Sequence, residues 1–394
     1  DSDGAGDYNV FIGELAGGTG TQTDDCDYNT AVGYNALTDI TSGQANTCIG
    51  MNAGDDITDG EFNVIIGQST GATTTSAEKI TAVGTDAMNR DVTAAAVGAV
   101  AIGFNSMNLL TEGIGNVAVG AYTLDANATS DYNTAVGHQS LSAVNGDGTG
   151  GNTAVGYQAG YGTTSGQFNT AIGKGALYTD DASDGNVAVG YHAFYNMNGG
   201  TGTGGNTALG SAAGYETVAG TNNTYIGKSA GYGASDGSAS GNTAVGKDAL
   251  LAITDGGNNT AIGHRSGQAI TGGDENVFLG DYSGASSTDV IGAVSIGYNC
   301  ASAVMTTGAN YTIAVGYSAL SALTTGSHCI AIGYQAADAL TVGDDNIAIG
   351  FGAMGALSTT DGSDKNIAIG TYAMDDVSAL AAADNIFIGY DSGG

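Results

Sequence analysis

The chain has 394 residues, of which 69 are Gly, none is Pro or Trp and only 12% are charged, a composition that points to an internal repeat rather than to ordinary globular domains. Seven Lys and Arg against 39 Asp and Glu give a net charge of −32, which repels nucleic-acid phosphate and anionic lipid, so DNA-binding and polybasic membrane-anchoring functions are excluded. A hydrophobic fraction of 42% excludes a disordered acidic tail, and the longest apolar run, Ala94 to Phe104, is too short to insert across a bilayer.

Aligning the chain on a recurrent Gly yields 22 copies of one motif, from Gly13, Gly33 and Gly50 to Gly370 and Gly389, spaced by 17 residues thirteen times, 19 five times and 20 three times. Each copy opens on a short predicted strand, as in Thr30-Ala31-Val32-Gly33. The first and third strand positions are Val, Ile, Leu or Thr throughout and share one face; the middle position is mostly Ala, with Phe11, Ile65, Tyr225, Phe278 and Phe387 as large exceptions. A strand apolar on both faces is expected to be buried on both. The motif Gly that follows reads as a corner needing positive φ or close approach, since no P-loop Lys or Rossmann spacing accompanies it. Three residues later comes Ala, Ser, Thr or Cys in every copy, the mark of a closely approaching surface. The rest of the copy reads as mixed short strand and turn; Ala249-Leu250-Leu251-Ala252-Ile253 and Ala319-Leu320-Ser321-Ala322-Leu323 space apolar residues as one helical turn would.

Copies this short cannot fold alone, so the expected fold is all-β, a parallel solenoid or β-roll of about 22 coils filling residues 1–394 as one repeat domain. At ~4.8 Å per coil it would be a rod on the order of 100 Å long, and one segment of a longer fibre.

Immediately before the strand stands Asn in 17 copies: Asn9, Asn29, Asn46, Asn63, Asn116, Asn133, Asn152, Asn169, Asn186, Asn206, Asn223, Asn242, Asn259, Asn276, Asn346, Asn366 and Asn385. Stacked in register, these amides are expected to form a structural ladder. Acidic residues gather in the loops, among them Asp24, Asp25 and Asp27, Asp180, Asp181 and Asp184, and Asp344 and Asp345. They read either as a solubilising acidic edge or as carboxylate and carbonyl ligands for Ca²⁺. Directly after the motif Gly come Tyr298, Tyr317, Tyr334 and Phe351 in consecutive copies, readable either as stacking within the rod or as a platform for a host glycan. The four His and four Cys fall in scattered columns, and no metal, disulfide or catalytic set assembles from them.

The runs Asn29-Thr30-Ala31-Val32-Gly33-Tyr34, residues 152–157, and Asn-Ile-Ala-Ile-Gly at 346–350 and 366–370 resemble the Asn-Ser-Val-Ala-Ile-Gly repeats of YadA-like trimeric autotransporter adhesin heads. They are more similar still to the Asn-Thr-Ala-Val-Gly-Tyr-x-Ala-Leu repeats of phage tail-fibre proteins, and the resemblance covers essentially the whole chain. It implies a left-handed β-roll wound as a homotrimer and an extracellular, virion-borne or cell-surface location. The expected function is a non-enzymatic fibre shaft of a phage or virus, holding a host-attachment tip away from the particle. The alternatives are a bacterial adhesin whose rod itself binds a host glycan or receptor and, further off, a polysaccharide-degrading solenoid or an ice-binding one.

Overall fold

The computed structural model describes residues 6–18, 21–23, 25–93, 95–146, 149–199, 204–233, 237–357, 363–375 and 383–393. The chain divides into two compact units, Asp1–Thr203 and Gly204–Gly394. The first carries eleven three-residue strands, β1 (Val10–Ile12) to β11 (Val187–Val189), and the second eleven more, β12 (Thr207–Leu209) to β22 (Ile386–Ile388). Within each unit every strand pairs in parallel with that of the next copy, position for position. Thr30 thus lies opposite Thr47, Ala31 opposite Cys48 and Val32 opposite Ile49. The fold is therefore an all-β parallel solenoid with one copy per coil, and the eleven strands of each unit form a ladder of about 50 Å.

Inter-coil pairing continues around the coil beyond the strands. The Asn52 N–H donates back to the Tyr34 carbonyl (2.9 Å), whereas the N–H groups of Leu37 and Thr41 donate forward to Ala53 (3.0 Å) and Thr58 (2.9 Å). Such alternation needs a backbone that repeatedly reverses hand. One coil shows how: Tyr132 (φ 55), Gln139 (φ 57) and Leu141 (φ 48) are left-handed, and Gly137 has φ 129. The first three sit in the small left-handed region that side chains enter at about 1–2 kcal/mol each, so those columns vary in sequence. The motif Gly lies outside it, at φ 128–144 in all 22 copies. At Gly33, moreover, a Cβ would lie 2.4 Å from the carbonyl oxygen of Gly50. Forbidden φ and close approach together explain why this column alone is invariant.

Within the single chain the strand's two faces differ in burial. The middle residue points inward and is buried in the interior coils, as Ala31, Ala82 and Ala208 are, while the first and third residues point outward and remain partly exposed. Ile102 is 39% exposed and Leu209 48%. The interior is narrow enough to be closed by Ala from one side, so the branched pair has no place in it.

What closes the interior from the other side is the residue four after the motif Gly. Where the strand centre is Ala it is large in most coils, as at Leu37, Met88, Phe194, Leu250 and Met354, and small at Gly160, Gly214, Gly267 and Ala337. Where the strand centre is large, it is Gly: Phe11 with Gly17, Ile65 with Gly71, Tyr225 with Gly231, Phe278 with Gly284, and Phe387 with Gly393. A Cβ at Gly231 would meet the Tyr225 ring at 2.4 Å. For Ile65, Tyr225 and Phe278 the same position in the preceding coil is also Gly, at Gly54, Gly214 and Gly267. A large strand centre thus goes with Gly at the facing position, because the two places draw on the same interior space.

The helical spacing of 249–253 and 319–323 belongs to a turn. Leu250 (φ 48) and Leu320 (φ 49) are left-handed, and the apolar residues flanking them face the interior because the chain reverses there. Among the described residues the helical element is a 3₁₀ turn, Thr307–Ala309, inside one of the longer copies. No helix among them is long and apolar enough to cross a membrane.

Candidate interaction surfaces

The outward strand face carries two ranks of side chains, both uncharged in every described coil. The first rank is Thr or Val over much of the length and Ile from Ile313 to Ile386; the second is Val, Ile or Leu. Parallel pairing fixes successive members of each rank one coil spacing apart along the ladder.

At the corner before each strand the Asn column is buried and hydrogen-bonded both ways. Asn46 Nδ2 donates to the Gly60 carbonyl 14 residues on (2.8 Å) and to Asn29 Oδ1 in the preceding coil (3.1 Å), and its backbone N–H donates to the same Oδ1 (2.9 Å). The pattern recurs at Asn63, Asn152, Asn223, Asn242, Asn259 and Asn276. Where Asn is replaced the next groups adapt: the Ile80 N–H still donates to Asn63 Oδ1 (3.0 Å), and Cys329 Sγ approaches the Gly343 carbonyl at 3.0 Å. All four Cys are free and buried, and burial pushes the Cys48 thiol up to about 12.

Two residues before Asn lies a column in which carboxylates do structural work that the sequence reading missed. Asp27 Oδ1 accepts the Asp7 N–H (2.6 Å), Asp184 Oδ1 the Gln167 N–H (2.8 Å), Asp274 Oδ1 the Gly257 N–H (2.6 Å) and Asp344 Oδ1 the Ser327 N–H (2.7 Å). Each caps an amide of the preceding coil. Of the remaining acidic candidates, Asp25 is exposed, Asp181 accepts from the Thr164 hydroxyl, and Asp345 lies 3.7 Å from His328 Nδ1. Asp24 falls outside the described residues.

Asp180 is not on the edge at all. It is wholly buried at an interior position that Ile57, Ile270 and Leu340 fill elsewhere, and burial pushes its carboxyl up to about 6. Among the described residues no group of three or more His, Cys, Asp or Glu is placed to hold a metal ion.

The structure brings Tyr298, Tyr317, Tyr334 and Phe351 into one stack, with centroids 5.3, 5.0 and 5.0 Å apart and planes within 16°. Stacking along the ladder turns each ring's face toward its neighbour and leaves the edges to solvent. A sugar ring needs a face, so the inner rings offer no platform, and only the ends of such stacks do. Similar stacks join Tyr161, Tyr178 and Tyr195, and Tyr215 and Tyr232.

No protein-family model matches this chain, and no curated protein matches it.

Proposed function

We propose that the chain is a fibre shaft: one of three identical chains in an extracellular fibre of a phage or virus, spacing a host-attachment tip from the particle. The outward strand face carries this reading. Soluble monomers rarely expose a contiguous apolar patch larger than a few hundred Å², and here two uncharged ranks run along eleven coils in each unit. Threefold association through this face removes it from water and leaves the polar corners as the solvated surface. We read the shaft as non-catalytic, because its strongly shifted carboxyls have structural causes. Asp180 is raised by burial inside a coil, and Asp55 by burial and by its neighbours Asp56 and Asp39.

Excising one 17-residue copy, residues 260–276, tests the spacer reading. The fibre is expected to shorten by about 4.8 Å with both ends still working. Loss of host attachment, or of glycan cleavage, on removing that copy or any other single one would place a site in the shaft and reject the reading.

A further inference from the structure

The aromatic column behind the motif Gly is interrupted in the same way at three places. Ala121, Asp281 and Thr371 each follow a copy with a ring at this position, and the next residue is Tyr: Tyr122, Tyr282 and Tyr372. Each of these rings lies edge-on to the column's rings in adjoining coils, at 80° to Phe104, 85° to His264 and 82° to Phe351. A ring turned this way presents its face across the ladder, where no stacked neighbour covers it.

At Tyr282 the chain supplies its own cover. Arg265, two residues after the motif Gly of the preceding coil, places its Cζ 5.5 Å from the ring centroid. Its Nη1 donates to the Tyr282 hydroxyl (3.2 Å), and its Nε lies 3.9 Å from Asp248 Oδ2. This is a cation over an aromatic ring and hydrogen-bonded to its hydroxyl, with a carboxylate that it shares with Lys247 (3.3 Å) at the limit of ion-pair distance. The residue equivalent to Arg265 is Asn105 beside Tyr122 and Gly352 beside Tyr372, and neither is long enough to reach over the ring. Both rings border open clefts, of about 220 Å³ at Tyr122 and about 360 Å³ at Tyr372, the larger one beside the Gly.

The two clefts, one in each unit, share a chemistry. Each has an Asp three residues beyond its Tyr, Asp125 or Asp375, and a carboxamide, Asn105 or Gln335; the second adds Asp338. Gly355 opens the second cleft between its two acids. A Cβ there would lie 2.6 Å from Asp375 Oδ1 and 3.7 Å from Asp338 Oδ1, so both carboxylates converge on space that any other residue would occupy. Asp125 accepts a hydrogen bond from Ser142 Oγ (2.6 Å). Burial holds Asp125 and Asp338 above the ordinary carboxylate range, with Asp375 adding to the rise at Asp338, so both gain from a nearby cation.

We propose that these two clefts are seats for guanidinium groups, each taking an arginine side chain of a basic partner over Tyr122 or Tyr372 with its N–H donors on the adjoining carboxylates. Arg265 on Tyr282 shows a guanidinium taken by the same ring position within the chain, the clefts supplying their carboxylates from five rather than two residues after the motif Gly, and the net charge of −32 gathers such a partner. The proposal stands whether or not the chain is a shaft.

Agmatine, a guanidinium on a short alkyl chain, is the probe, titrated into the full chain by calorimetry and by NMR. Two saturable sites per chain are expected, weakening as salt is raised. Asn105→Arg and Gly352→Arg should each remove one site. The backbone at both positions (φ 53 and 59) matches that of Arg265 (φ 57), but a Cβ at Gly352 would lie 2.9 Å from Tyr372 Cδ1, so Gly352→Arg needs that ring to shift and the second cleft is tested first by Tyr372→Leu. Tyr122→Leu and Tyr372→Leu, which leave that backbone position untouched, should likewise remove one site each. Arg265→Gly should raise the count to three. The proposal fails if agmatine shows no saturable binding, if the sites ignore these substitutions, if the Arg265→Gly count stays at two, or if a neutral disaccharide competes as well as agmatine does.

Discussion

Phe278→Ala removes a wholly buried ring that lies against two glycines. A Cβ at Gly284 would sit 2.4 Å from the ring's Cδ1 and Cε1, and one at Gly267 2.8 Å from its Cδ2. Neither Gly has a side chain to relax into the hole, so the cost belongs in the upper part of the usual range for Phe→Ala, about 4–5 kcal/mol. Gly284→Leu alone fails for the opposite reason: the new side chain meets the ring, at about 1–3 kcal/mol for overpacking, and a non-Gly residue at this left-handed position (φ 60) adds about 1 kcal/mol. Together the two changes rebuild the pairing of Ala244 with Leu250 two coils further along the ladder. The double variant should lie within about 2 kcal/mol of the parent, a favourable coupling on the order of 4 kcal/mol. A solenoid opens locally, so the fitting assay is native-state hydrogen exchange at the amides of Val277 and Leu279. Exchange should speed up about 10³-fold in Phe278→Ala and by no more than about 30-fold in the double variant, at tenfold per 1.4 kcal/mol. Additive costs, or a double variant worse than either single one, would refute the account that a large strand centre and the residue six on compete for one space.

Gly246→Ala, at φ 133 with the Gly263 oxygen 2.5 Å from the new Cβ, should abolish local pairing, whereas Gly185→Ala, at φ 67 with nothing within 4 Å, should cost about 1 kcal/mol in a thermal melt. Asn259→Ala leaves the Gly273 carbonyl and the Asn276 amides without their partner and should cost about 3 kcal/mol by exchange at those amides. Asp180 is raised in the folded state to about 6 from 3.8, so its carboxyl favours folding fully below pH about 4, and that contribution is lost as pH rises through about 6. Asp180→Leu should therefore stabilise the first unit at pH 7 by about 3 kcal/mol and flatten its melting temperature between pH 4 and 7, and equal slopes in parent and variant would exclude this origin.

The solenoid was legible because the motif Gly and the flanking pair of Val, Ile, Thr or Leu repeat without exception, and a backbone that only Gly can follow leaves that record in the sequence. The direction of the strand was not legible. Val32 and Thr30 look like core, and only the size of the interior, closed by Ala31 and Leu37, shows that they face outward. The pairing of large strand centres with Gly six residues on, as in Ile65 and Gly71, was present in the aligned copies and was missed because each column was read alone. The acids misled for a related reason. Asp184 and Asp344 cap backbone amides of neighbouring coils, and Asp180 is buried among apolar columns; neither fact is visible without knowing which positions turn inward. The Tyr298 to Phe351 column was legible as a column, but the orientation of its rings, which decides what they can bind, depends on stacking geometry alone.

The shaft reading turns on whether the outward strand face is covered by other copies of the chain, and sedimentation equilibrium of the full chain measures that directly. The account predicts a single species of three times 38.5 kDa that persists on dilution through the micromolar range and falls apart when Ile330 and Ile332, on that face, are both changed to Asp. A stable species of 38.5 kDa for the unaltered chain, with those two substitutions changing nothing, would contradict it.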